Sequence, residues 1–241
     1  MTQEYVWLIT GANRGIGLEM VKQLLQTPSN TVIAACRSPT KATELQELVE
    51  HVSGGKLHVV ALDVTSKESV HQAAEDVARI LGGKGIDYLV NNAGILPGGL
   101  DTAFTMDVDV MQEAFATNVA GTAYVTQAFI GAVEKSAKKT VVNVSSTFGS
   151  IGADQGVLAG VAASYAISKA GLNMLTYKEA KEKPDIVAIS ICPGWVQTEL
   201  GGKNAKYPVS VSVEGVLKTV LALQPNDSGK FFNFQGEIVP W

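Results

Sequence analysis

A single open, doubly wound α/β domain over residues 1–241, with about seven parallel strands flanked by helices on both faces, is the fold this sequence predicts. Three observations lead there. Charged residues make up only 17 % and hydrophobic residues 46 % of the chain, as expected when many strands are covered on both faces. There are 24 glycines, as expected of tight strand-to-helix turns. Short β-branched runs alternate with amphipathic stretches, an order that favours parallel strands joined by right-handed helical crossovers.

The expected strands are Tyr5–Thr10, Thr31–Cys36, Leu57–Leu62, Ile86–Asn91, Thr140–Ser145 and Ile186–Cys192, with a shorter seventh at Lys230–Phe234. Continuous apolar runs of this length suit strands buried on both faces. Between them, Gly15–Gln26 opens on glycine and places Ile16, Met20 and Leu24 on one helical face. Thr40–Val52 and Ser66–Leu81 carry polar starts and apolar stripes, with Ser66 placed as a helix cap. Asp107–Ser136 is expected as one long helix, followed by Ser164–Glu182 and Val213–Leu223.

Composition excludes several classes. The apolar content is too high for a disordered chain. A net charge of −4 and the lack of any Lys/Arg run argue against a nucleic-acid surface. No apolar stretch has the length of a membrane span. The opening MTQEYVWLIT lacks a basic segment followed by a long apolar run, so no secretory signal is expected. Cys36 and Cys192 lie in strand-like runs and are expected as buried thiols, which suits a reducing, cytoplasmic setting.

The first expected strand runs into Thr10-Gly11-Ala12-Asn13-Arg14-Gly15-Ile16-Gly17 and then into a helix. Glycines there allow a tight turn and let the backbone approach a pyrophosphate. The helix N-terminus adds free N–H groups and positive potential. A site for NAD needs an acidic residue at the end of strand two to accept from the ribose hydroxyls. Here Arg37 stands in that place, and Arg14 is a second cation in the turn. A guanidinium suits a 2′-phosphate, so NADP(H) is expected. Asp63-Val64 follows strand three, where a carboxylate could accept from an adenine amine.

His51, His58 and His71 have no acidic partner near a strand end, so neither a Ser-His-Asp hydrolase nor a metal site is expected. Tyr165 and Lys169 stand four apart in a helical stretch and therefore share a face. An ammonium beside a phenol lowers the phenol pKa, and such a tyrosine can give a proton to a developing alkoxide. Ser145-Ser146 ends strand five, where a hydroxyl can reach a substrate carbonyl.

Together these pieces resemble the short-chain dehydrogenase/reductase family. TGANRGIG (10–17), Asp63-Val64, Asn91-Asn92-Ala93-Gly94, Asn118, VNVSS (142–146), YAISK (165–169) and PGWVQTEL (193–200) occur in the family's order across nearly the whole chain. Within the family, TGANRGIGLEMVKQLL and the tail GKFFNFQGEIVPW resemble carbonyl reductases related to the insect sniffer protein and the bacterial C-factor. The resemblance implies a Rossmann fold and assigns roles. Tyr165 is the general acid, and Lys169 lowers its pKa and holds the nicotinamide ribose. Ser146, rather than Ser145, orients the carbonyl, and Asn118 holds a water in a proton relay. Asn92, Ala93 and Gly94 line the adenosine–ribose region and steady the central sheet. Pro193, Gly194, Val196 and Thr198 meet the nicotinamide. The chain departs from the family in one place: Tyr165 follows Ser146 by 19 positions, where about a dozen is usual.

Ile95, Leu96, Thr147, Phe148, Leu158, Trp195, Leu200 and Tyr207 are the expected pocket walls, in substrate loops 147–163 and 195–210. None is Arg or Lys, so the expected substrate is an uncharged ketone or aldehyde. Gly201–Tyr207 reads as a lid with glycine freedom. The expected activity is NADPH-dependent carbonyl reduction. A dedicated polyketide ketoreductase or an alcohol dehydrogenase is the same chemistry otherwise directed, and an NADP(H)-sensing regulator is the alternative without catalysis. A homodimer is expected through the two long helices, which carry Val119, Val125, Phe129 and Val133, and Leu172, Leu175 and Tyr177.

Overall fold

The structure, a computed structural model, describes residues 4–52, 56–153 and 155–241; Asp154 of the loop 147–163 lies outside them. Seven strands hydrogen-bond in the order β3-β2-β1-β4-β5-β6-β7, the expected doubly wound α/β arrangement. They are β1 (Val6–Thr10), β2 (Thr31–Cys36), β3 (Lys56–Ala61), β4 (Tyr88–Asn91), β5 (Thr140–Val144), β6 (Val187–Cys192) and β7 (Phe231–Asn233). The helices are α1 (Gly15–Leu24), α2 (Thr43–His51), α3 (Lys67–Leu81), α4 (Val108–Phe115), α5 (Thr122–Glu134), α6 (Ala163–Glu182) and α7 (Val209–Ala222). The chain divides into two compact units, Met1–Ala93 with Tyr124–Val142, and Gly94–Ala123 with Asn143–Trp241.

In the first unit, parallel pairing sets Trp7 opposite both Val32 and Tyr88. Every residue of β1 and β2 is buried, as their continuous apolar runs require. The Trp7 ring stacks on Tyr88 with centroids 3.9 Å apart. Its indole N–H has no hydrogen-bond partner, a cost of about 1–3 kcal/mol. Burying an indole contributes on the order of 5 kcal/mol, so burial wins. The α3 helix starts as its sequence indicates: the Ser66 hydroxyl accepts from Ser69 N at 3.1 Å. It ends on Gly82 in the left-handed conformation.

Strand order reverses between β1 and β4, and the ends of these two strands are tied together. The Thr10 hydroxyl oxygen accepts from the Asn92 and Ala93 amides, both at 3.0 Å. Asn92 Nδ2 donates back to the Thr10 and Gly11 carbonyls at 2.9 and 3.2 Å. One hydroxyl and one amide thus close the point where such sheets bind ligands.

In the second unit, the face of α6 turned to the sheet is polar. Asn143 Nδ2 and the Ser190 hydroxyl both donate to Thr176 Oγ1 at 2.9 Å. The Ser145 hydroxyl donates to Asn173 Oδ1 at 2.6 Å, and Asn173 Nδ2 donates to the Gly149 carbonyl at 3.1 Å. Directional bonds of this kind fix the rotation of α6, which an apolar stripe alone would leave looser.

Three expectations change. The helix expected over Asp107–Ser136 is α4 and α5 joined by a π-helical turn at Ala116–Gly121. That turn holds Asn118, whose side chain is bonded to the Ile95 backbone, and a held side chain of this kind displaces the regular ladder. The last helix begins at Val209 after Pro208, not at Val213, because the alternation in Val209-Ser210-Val211-Ser212 mimics a strand. Val119, Val125, Phe129, Val133 and Leu172, named for a dimer contact, are core residues; Val108, Phe115, Ile167, Met174 and Tyr177 are exposed. Cys36 and Cys192 are both buried and free. No described helix is long and apolar enough to cross a membrane.

Thr10→Val keeps the shape and removes the acceptor that serves two amides. Its unfolding free energy in urea should fall by about 1–3 kcal/mol. An unchanged transition would contradict the role assigned to this hydroxyl.

Candidate active site

The first unit carries the glycine turn. Gly11 has φ +64° and Gly15 φ +54°, a region that favours glycine. A Cβ on Gly17 would lie 2.4 Å from the Gly11 carbonyl and 2.6 Å from Asn92 Nδ2, so the helix can approach the turn only without one. Ala12 N donates to the Ala35 carbonyl at 3.1 Å, which fixes the turn against β2. Arg14 precedes α1 with extended backbone and gives no side-chain cap, and the first turn of α1 holds no acidic residue. Its N–H groups are therefore positioned for an external anion. Asn13 and Ile16 are half-buried on this turn, and Arg14 is exposed.

Arg37 is exposed just past β2. Asp63 accepts from Thr65 N at 3.0 Å and from the Thr65 hydroxyl at 2.7 Å. Partial burial raises its pKa, but the two Thr65 bonds and the Arg37 charge outweigh that and hold the carboxyl below its ordinary value. Val64 is buried, so only its backbone can face a ligand. Asn92 and Ala93 use their polar groups to close the β1–β4 ends, steadying the sheet as expected.

The second unit carries the chemistry. Tyr165 is 8 % and Lys169 4 % exposed. Lys169 Nζ donates to the Val144 carbonyl at 2.8 Å and lies 5.6 Å from the centre of the Tyr165 ring. Burial pulls the Lys169 pKa down to about 8. Burial pushes the Tyr165 phenol up, and a hydrogen bond with Ser146 opposes this only partly. The expected lowering of the phenol pKa is thus not observed. Both groups are out of water, so each disfavours its own charged form, and the phenol keeps its proton.

Ser146 is the serine at this site. Its hydroxyl accepts from Phe148 N at 3.2 Å and lies near enough to the Tyr165 phenol to oppose the rise in its pKa. Ser145 is turned away and bonded to Asn173. A Cβ on Gly149 would lie 2.5 Å from the Lys169 carbonyl carbon, so this glycine lets the Ser146 loop rest directly on α6. Asn118 is fully buried. Its Nδ2 donates to the Ile95 carbonyl and to Ser168 Oγ, both at 2.9 Å, and Ser168 Oγ donates to the Tyr165 carbonyl at 2.7 Å. A Cβ on Gly94 would stand 3.1 Å from Asn118 Oδ1 and 3.6 Å from Lys169 Nζ. Gly94 therefore lies beside Asn118 and Lys169.

The loops around this set are more tied than the sequence indicates. Phe148 meets Tyr165 edge-on, centroids 6.4 Å apart, and Thr147 N donates to Cys192 Sγ at 3.4 Å. Ser150 donates to the Pro240 carbonyl at 2.6 Å and Gly152 N to the Trp241 carbonyl at 2.8 Å, so the tail anchors the base of the long loop. Val157 beyond it is 97 % exposed, and Leu158 is also exposed. In place of a free lid, Gly201–Tyr207 is stitched down. Trp195 Nε1 donates to the Gly201 carbonyl at 2.7 Å, and Gln197 N to the Tyr207 carbonyl at 2.9 Å. Tyr207 packs on Phe234, centroids 4.8 Å apart, and on Gly194, behind the strand end. Trp195 and Leu200 are exposed, Leu96 is half-buried, Pro193 and Val196 are buried, and Thr198 bonds within its own loop. Among the described residues no cluster of His, Cys, Asp and Glu is placed to hold a metal ion.

A phosphate-type turn at the reversal of strand order and a buried Tyr–Lys pair with half-buried Ser146 beside it define an oxidoreductase of the doubly wound α/β class. The family model for short chain dehydrogenase matches residues 5–207, and the chain belongs to that family. It is 35 % identical over 260 residues to an uncharacterized oxidoreductase of Schizosaccharomyces pombe, covering 100 % of this chain and 99 % of the relative. Among solved structures it is similar to an NADPH-bound carbonyl reductase from chicken fatty liver, with 36 % identity, a TM-score of 0.92, and 99 % and 100 % of the two chains covered. It is also similar to the carbonyl reductase Sniffer of D. melanogaster, with 28 % identity, a TM-score of 0.91 and the same coverage.

Proposed function

We propose that this protein is an NADPH-dependent carbonyl reductase that acts on uncharged ketones or aldehydes, with Tyr165 as general acid. The observation that carries the reading is the buried Tyr165 phenol with Lys169 Nζ 5.6 Å from its ring centre, a phenol that burial keeps protonated. A protonated donor is what carbonyl reduction needs at neutral pH.

The cofactor fits the residues present. The N-terminus of α1 offers unpaired N–H groups beside glycines that a Cβ would obstruct. Gly11, Asn13, Arg14, Gly15, Ile16 and Gly17 would hold its pyrophosphate. Arg37, exposed past β2, would meet the 2′-phosphate, and the NADPH bound by the similar carbonyl reductase from chicken fatty liver supports the same choice. Lys169 would hold the nicotinamide ribose, and Pro193, Gly194, Val196 and Thr198 would meet the nicotinamide. When bound, NADPH supplies a hydride. The chain supplies the rest. The Ser146 hydroxyl orients the carbonyl and stabilises charge on its oxygen. Tyr165 passes its phenolic proton to that oxygen. The Lys169 ammonium, protonated below a pH of about 8, favours the phenolate that results. Leu96, Thr147, Phe148, Trp195 and Leu200 bring no charge to pair with a charged substrate.

Two measurements test this. NADPH consumption with a panel of aryl ketones and aldehydes should be measurable for the wild type. In Tyr165→Phe it should fall by about 10²–10⁴-fold, with NADPH binding nearly intact; retained turnover would reject the mechanism. In Arg37→Ala the KM for NADPH should rise roughly ten- to hundredfold, as for loss of a charged hydrogen bond, while that for NADH barely moves. Equal effects on both cofactors would reject the assignment of Arg37.

A further inference from the structure

We propose that Asp101 is a positioning residue of this active site: it caps α6 from outside the helix and so fixes the turn that carries Tyr165. The proposal rests on the reading of Tyr165 as the proton donor.

An α-helix begins with N–H groups that have no partner within the helix. For α6 the residue in the cap position is Ala162, whose methyl group cannot accept a hydrogen bond. Ala162 is also held in the left-handed conformation, with φ 55° and ψ 42°. That conformation is unfavourable for a residue with a Cβ and persists only where the surroundings enforce it. The chain's own sequence therefore provides a poor start for the one helix on which both Tyr165 and Lys169 sit.

The missing acceptors come from 62 and 63 positions upstream, in the segment between β4 and α4. The Asp101 carbonyl accepts from Ala163 N at 3.2 Å. Its Oδ1 accepts from Ser164 N at 3.3 Å. Its Oδ2 accepts from the Ser164 hydroxyl, which is 0 % exposed. One residue thus takes the first two amides of the helix and a buried hydroxyl, and its negative charge faces the positive end of the helix dipole. Ser164 immediately precedes Tyr165. The other hold on this turn, Asn118 through Ser168 to the Tyr165 carbonyl, acts one turn further along. Without Asp101 the N-terminal end of the turn would fray, and a displacement of about 1 Å at a reacting group can lower a rate on the order of a hundredfold.

The test compares Asp101→Ala, Asp101→Asn and Ser164→Ala with the wild type in three measurements. These are steady-state kinetics on a ketone substrate, NADPH binding by fluorescence, and amide hydrogen exchange across residues 160–182. Asp101→Ala should lower kcat roughly ten- to hundredfold, leave the NADPH Kd within about twofold, and speed exchange at 163–166 while the rest of α6 stays protected. Asp101→Asn keeps an oxygen acceptor and should retain most of the rate. Ser164→Ala added to Asp101→Ala should cost little more, because the two act through one contact. Wild-type kcat in Asp101→Ala with unchanged exchange at 163–166 would overturn the proposal. So would Asp101→Asn as impaired as Asp101→Ala, since an acceptor would then not be what matters. Exchange is read without turnover, so faster exchange in a protein that reduces no carbonyl supports the cap while rejecting the activity.

Discussion

The second unit is organised around one costly placement: a lysine ammonium buried beside a buried phenol. Lys169 keeps a strong bond to the Val144 carbonyl at the end of β5, yet burial still pulls its pKa down to about 8. Desolvating a charge in this way works against folding. The neighbouring structure is built to withstand it. The sheet-facing side of α6 is lined with Asn173 and Thr176, which bond to Ser145, Asn143 and Ser190. An apolar helix face would pack as well, but it would tolerate the rotation that a misplaced ammonium would drive. The polar rungs allow one orientation.

The same logic explains the turn around Asn118. A regular helix through 107–136 would bury more backbone in standard geometry. The π-helical turn departs from it where the Asn118 amide bonds to Ile95 on one side and Ser168 on the other. The segment after β4 and the second turn of α6 are thereby tied to a single side chain. In the first unit, Thr10 and Asn92 play the corresponding part, closing the β1 and β4 ends beside the glycine turn.

What was legible in the sequence was local. Covered strands read as continuous apolar runs, and β1 and β2 lie where those runs are. The glycine turn and the Tyr165–Lys169 pair are recognisable because their chemistry depends on spacings within one turn. Ser66 could be read as a cap because the amide it serves is three residues away. The rest depended on pairs distant in sequence or on burial. Nothing near Asp101 or Ser164 signals their contact across 63 positions. Ser145 and Ser146 are indistinguishable as letters, and only their different partners past the end of β5, Asn173 for one and the neighbourhood of Tyr165 for the other, separate them. The rise in the Tyr165 pKa is not legible for the same reason: spacing indicates that an ammonium is near, but not that water is absent. The start of α7 was hidden by a four-residue alternation that proline at 208 overrides.

The central claim is that Lys169 is buried, charged at neutral pH, and required in that form beside Tyr165. The pH dependence of kcat for ketone reduction under saturating NADPH tests it most directly. Below about 8 Lys169 keeps its proton, and as the pH rises through that value the proton is lost. The rate should therefore be level on the acid side, fall with an inflection near pH 8, and lose that inflection in Lys169→Met. A wild-type rate that stays level from pH 7 to 10 would contradict the account.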